Sequence, residues 1–73
     1  MEMDEQLFTS KFGNHLKAIR LEKKLSQEML ANDADIPINQ IGRIERGEIS
    51  TSLTTIYKIA CALNIEVKAL FDF

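Results

Sequence analysis

Between Ile38 and Arg46 the chain carries four side chains suited to reading a base edge. Asn39 and Gln40 offer amides that pair bidentately with adenine, Arg43 and Arg46 offer guanidinium forks that match guanine, and all four reach phosphate oxygens. On a helix turning about 100° per residue, Ile38, Ile41 and Ile44 fall on one side, while Arg46, Asn39, Arg43 and Gln40 fall between about 80° and 200°. That segregation fits a helix lying in the major groove of DNA. It fits a solvated polar face equally well, and periodicity does not choose between them. Glu45 breaks the pattern: at about 340° it lies between Ile38 and Ile41, facing the core. A buried carboxylate requires a partner, and Arg20, at the border of the apolar face of an earlier helix, is the candidate. The expectation is a structural ion pair, Arg20 with Glu45.

Other chemistry is poorly supplied. Cys61 is the single cysteine and His15 the single histidine, so no disulfide, zinc set or nucleophile and base pair is expected. Cys61 reads as a small core hydrophobe and His15 as a residue at the surface or edge of its helix. Neither a glycine-rich phosphate loop nor a metal constellation is present, which argues against an enzyme and against a cofactor or metal site. The longest uninterrupted apolar run, Ile59 to Leu63, falls far below the roughly 20 residues that span a bilayer. The acidic start, Met1 to Glu5, does not resemble a signal peptide. The expectation is a cytoplasmic protein with no membrane partner.

The elements that must position the polar face follow from caps and breakers. Residues 1–9 read as a loose N-terminal arm and residues 10–73 as one domain. Ser10 reads as the N-cap of a first helix over 11–23, on which Phe12, Leu16 and Ile19 share a face. Ser26 caps a short second helix ending near Asp33, and Pro37 forces a tight turn by removing an amide donor and pushing Ile36 out of the α region. A third helix over 38–46 stops at Gly47, a good left-handed terminator. After a polar loop, Ser52 caps a fourth helix that runs to Leu63 and stops at Asn64. Its apolar residues, from Leu53 through Tyr57 and Cys61 to Leu63, sweep roughly 200°, which predicts a central position. A last short helix occupies 66–71. The pattern is all-α, a compact five-helix domain.

At 73 residues the chain fits one small domain, of a size that buries only about 60% of the surface its unfolded form exposes. The net charge of −2 opposes a nucleic-acid partner at first sight. Its distribution reverses that reading: from Ser10 to Leu63 there are eight basic against six acidic residues, and the flanks hold one against five.

Leu25 to Ala31, followed by Ile41 to Gly47 without gaps, resembles the phage repressor and Cro family of helix-turn-helix proteins, also called XRE-type. The similarity continues through Ser52 to Ala60 and the Leu63-Asn64-Ile65 exit, and within the family the chain is similar to small restriction-modification controller proteins. The resemblance implies a lambda-repressor-like fold and a sequence-specific transcriptional regulator that binds a palindromic operator on double-stranded DNA as a homodimer. It implies base contacts from Ile38, Asn39, Gln40 and Arg43 and a phosphate contact from Gln27. Arg46, Ser50, Thr51, Ser52 and Thr54 join Gln27 as candidate phosphate contacts, with capping the competing role of the hydroxyls. Pro37 and Ile38 depart from the family, which usually has a Ser or Thr cap and a polar contact at these places. Gly42 is costly inside a helix, by roughly 1 kcal/mol, and is expected to allow close approach to DNA or to a neighbouring helix. For the homodimer, Leu7-Phe8 and Leu70 to Phe73 supply apolar surface. The alternative is a module whose main partner is a protein, such as an antitoxin.

Overall fold

A computed structural model describes residues 3–73. Four α-helices, α1 (Glu5–Glu22), α2 (Gln27–Ala34), α3 (Ile38–Glu45) and α4 (Leu53–Leu63), are followed by a 3-10 turn over Val67–Phe71 in place of a fifth α-helix. Three side-chain caps set the helix starts: Asp4 accepts from the Leu7 amide, Ser26 from Met29 and Ser52 from Thr55. The first of these is a correction. Helix α1 starts at Glu5, so Ser10 lies in its interior and residues 5–9 are helical rather than a loose arm.

Tertiary contacts explain the early start. Gln6 Nε2 donates to the Gly47 carbonyl at 3.3 Å, and the Phe8 ring lies 6.5 Å from Phe71 and 5.6 Å from Phe73. The first turns of α1 are thus docked on both the end of α3 and the chain's C-terminus. Leu70, expected to be exposed, is fully buried, and His15 Nε2 donates to the Ala69 carbonyl at 2.8 Å. Phe71 and Phe73 close over Phe12 and His15.

The core is formed by Phe12 and Leu16 of α1, Leu30, Ala31 and Ala34 of α2, Ile41 and Ile44 of α3, Ile56, Ile59, Ala60 and Leu63 of α4, and Leu70. Helix α4 faces it with one side only. Leu53, Tyr57 and Cys61 lie outside the core, Leu53 being 84% and Tyr57 62% exposed. The apolar arc of α4 is therefore two stripes, and Cys61 is a surface residue rather than a core hydrophobe.

Two features fix α3 against its neighbours. Gly13 lets α1 cross α3 at backbone contact, since a Cβ there would stand 2.6 Å from the Glu45 carbonyl oxygen. Beside that crossing, Arg20 and Glu45 are buried, 6% and 4% exposed, and joined twice: Nε to Oε2 at 2.6 Å and Nη2 to Oε1 at 3.0 Å. Arg20 Nη1 also donates to the Leu25 carbonyl at 2.8 Å, and Gln27 Nε2 donates to Glu45 Oε1 at 2.9 Å. One carboxylate thus ties α1, α2 and α3 together. Gly42 differs from Gly13, because a Cβ there would meet only the side-chain ends of Arg46, at 3.0 Å, and Gln27, at 3.5 Å.

Removing one partner of a buried ion pair typically costs about 3–5 kcal/mol, whereas replacing both by apolar residues of similar size is often nearly neutral. Total stability for so small a domain is on the order of 5 kcal/mol. Glu45→Ala is expected to be largely unfolded, and Arg20→Met with Glu45→Leu to regain much of the melting temperature. Thermal melts of both single variants and the double variant check this, and single variants that melt like the parent overturn it. Gly13→Ala is expected to cost about 3 kcal/mol, because backbone must move. Gly42→Ala, opposed only by flexible side-chain ends and favoured by helix propensity of about 1 kcal/mol, is expected to melt at or above the parent temperature in the same assay.

Candidate nucleic-acid interface

Helices α2 and α3 are joined by a turn in which Asp35 is left-handed (φ 58) and Pro37 occupies the N-cap of α3 without a side-chain hydrogen bond. With Ile41, Ile44 and Glu45 buried, rotation of α3 about its axis is set and its opposite side faces solvent. Asn39, Arg43 and Arg46 are exposed along one line at helical spacing, and Gln40 is half-buried beside them. Ile38 is 48% exposed. It stands at the edge of the polar face rather than in the core with the other two isoleucines.

Arg46 caps the end of α3, and Gly47 adopts a left-handed conformation (φ 72) that reverses the chain. The Glu48 and Gly47 amides donate to the Arg43 and Ile44 carbonyls at 2.9 and 3.0 Å, closing the helix end. This turn brings Glu48 between the two arginines: its carboxylate accepts from Arg46 Nε at 2.7 Å and lies 3.8 Å from Arg43 Nε. The hydrogen bond from Arg46, reinforced by the charges of Arg46 and Arg43, holds the Glu48 carboxyl below the usual carboxylate range, and Glu48 in turn raises Arg46. Glu48 is a residue of the interface that the pattern of caps and apolar spacing does not single out. Its signal was its place directly after a left-handed glycine that ends the polar helix.

The hydroxyls of the following loop divide. Ser50 and Thr54 are exposed. Ser52 accepts from the Thr55 amide and donates to Thr55 Oγ1, both at 3.1 Å, so its side chain is taken up by the cap. Thr51 is a correction: its Oγ1 is buried and without a hydrogen-bond partner, so the hydroxyl is not presented to a phosphate. Gln27, at the first position of α2, is half-buried with one amide proton on Glu45. On α4, Tyr57 lies one turn from Cys61, and the neighbouring thiol raises the phenol above its ordinary value.

Among the described residues no helix is long and apolar enough to cross a membrane, and no group of three or more His, Cys, Asp or Glu side chains is placed to hold a metal ion.

A helix-turn-helix family model matches residues 16–70, which takes in all of α2, α3 and α4. The control protein C.BamHI of Bacillus amyloliquefaciens is 44% identical over 63 residues, covering 85% of this chain and 78% of the relative. The immunity repressor protein of Bacillus phage phi105 is 41% identical over 58 residues, which are 80% of this chain and 40% of the repressor. Among solved structures, the restriction-modification controller protein C.AhdI of Aeromonas hydrophila superimposes with a TM-score of 0.85 at 43% identity, covering 86% of this chain and 96% of the controller. With the polar face of α3 turned to solvent, the chain belongs to the helix-turn-helix family as a sequence-specific DNA-binding regulator of the repressor and controller type, and not to the enzymes.

Proposed function

We propose that the protein binds a palindromic operator as a homodimer, each copy placing α3 in the major groove. The observation that carries this reading is the outward polar face of α3, held by a buried carboxylate on its inner side. Asn39, Gln40 and Arg43 reach base edges, with Arg43 suited to guanine and the two amides to adenine. Ile38, half exposed, meets a thymine methyl. Gln27, Arg46, Ser50 and Thr54 take phosphates, and the Ser52 region contributes through the start of α4.

A single copy has few groove contacts, and two-fold pairing joins two half-sites about one helical turn apart. We assign the pairing surface to the outer stripe of α4, Leu53, Tyr57 and Cys61, because these exposed residues have no core to cover. The aromatic ends of the chain are engaged with one another, which argues against them as the main interface. Sedimentation at micromolar concentration is expected to give a dimer that Tyr57→Glu converts to monomer and Phe73→Ser leaves intact. A persistent monomer in the presence of operator overturns the pairing.

Selection of bound sites from random duplexes supplies the operator for titration. Arg43→Ala or Asn39→Ala is expected to cost about 1–3 kcal/mol per half-site, with discrimination lost at particular bases. Gln27→Ala is expected to weaken all sequences alike, with a thermal melt alongside to account for its lost bond to Glu45. Equal loss on operator and random DNA in Arg43→Ala reassigns that side chain to phosphate.

A further inference from the structure

All four α-helices end in the same way. A left-handed residue is the cap itself at Asp35 (φ 58) and Asn64 (φ 57) and lies just beyond the cap at Lys24 (φ 61) and Gly47 (φ 72). The next amide reaches back to the carbonyl five residues earlier: Leu25 to Arg20, Ile36 to Ala31, Glu48 to Arg43 and Ile65 to Ala60, at 2.9 to 3.1 Å. In this motif the residue after the left-handed one commonly closes the helix end with an apolar contact. Leu25, Ile36 and Ile65 do so, packing against the core.

Glu48 is the exception. The backbone motif that tucks an apolar side chain inward at three helix ends here delivers an exposed carboxylate to Arg43 and Arg46, the two cations of the outer face of α3. A negative charge at a helix C-terminus is unfavourable to the helix itself. Exposed ion pairs add little to stability, so the fold does not account for Glu48.

We propose that Glu48 is a specificity-determining residue that occupies Arg43 and Arg46 as an internal stand-in for phosphate, holding them off DNA whose bases do not match. The inference rests on the reading that these arginines face DNA. On non-cognate duplex, every arginine–phosphate contact must first displace the Glu48 carboxylate, which itself lies against a backbone carrying one negative charge per about 1.7 Å. On the operator, base contacts hold Arg43 and its neighbours in one register in which the carboxylate stays clear of the backbone, whereas on random duplex, bound through phosphates alone, it competes for both arginines throughout. Glu48 therefore weakens random binding more than specific binding.

The test is Glu48→Gln, which keeps the shape and removes the charge at an exposed site. It is measured against the selected operator and a random duplex of equal length over a salt series. Glu66→Gln serves as a control for net charge, since Glu66 is exposed and pairs with Lys68 at 3.4 Å, away from the arginines of α3. Glu48→Gln is expected to raise random-DNA affinity about fivefold more than operator affinity. The salt dependence on random DNA is expected to steepen by about one counterion, with the melting temperature unchanged and Glu66→Gln showing neither effect. Equal gains on both duplexes, no change, or a loss confined to the operator overturn the proposal. Arg43→Ala run in parallel separates the layers. If it leaves all DNA binding intact, the reading of α3 fails. If it weakens operator binding while Glu48→Gln shifts nothing, only the role of Glu48 fails.

Discussion

The bidentate contact between Arg20 and Glu45 is the constraint on which the polar face depends. Helix α3 has eight residues, too few to persist alone in water. Burial of Ile41 and Ile44 holds it against the core, yet hydrophobic contact is non-directional. Two charge-assisted hydrogen bonds to a planar guanidinium add direction. A slip of α3 by one residue turns each side chain by about 100°, which would carry Arg43 away from the outer face and leave Glu45 without its partner. Gly13 sets how closely α1 and α3 approach, and the ion pair sets which side of α3 looks outward. Both come from the same stretch of α1, which itself presents no residue of the polar face.

The same carboxylate extends this control to α2. Glu45 Oε1 accepts from Arg20 and from Gln27 together, so a side chain at the rim of the interface is a member of the core network. Coupled residues of this kind do not act additively. A change at Gln27 is felt at Glu45 whether or not DNA is bound, and loss of binding at this position has meaning only beside a measurement of folding.

The legible parts of the fold are those written locally. Ser26 and Ser52 bond amides three residues ahead, and Gly47 and Asn64 adopt the left-handed conformations their side chains permit, so α2, α3 and α4 could be bounded from short windows of sequence. The inward turn of Glu45 was legible for the same reason, since periodicity alone places it among isoleucines. The start of α1 was not, because Asp4 and Ser10 are both competent caps and the choice is made by Phe8 against Phe71 and Gln6 against Gly47, contacts far apart in sequence. Nor could the apolar side of α4 be divided in advance. Ile59 and Cys61 differ little in what they say about burial, and only the packing shows that one faces the core and the other solvent. Thr51 belongs to the same class: a hydroxyl in a polar loop reads as available until neighbouring atoms enclose it.

A protein of net charge −2 that binds a polyanion raises a question of placement rather than of total. At physiological ionic strength interactions between exposed charges fade over about 8 Å, while the molecule extends 35 Å along its long axis. Much of the acidity has local work. Asp4 caps α1 and Glu5 stands in its first turn, where the helix dipole favours negative charge. Glu66 lies against Lys68, and Glu45 is neutralised within the core by Arg20. At the outer face of α3, Glu48 opposes the arginines by direct contact. The charge that bears on DNA is therefore set by a handful of groups around one short helix, and the composition of the whole chain is a poor guide to it.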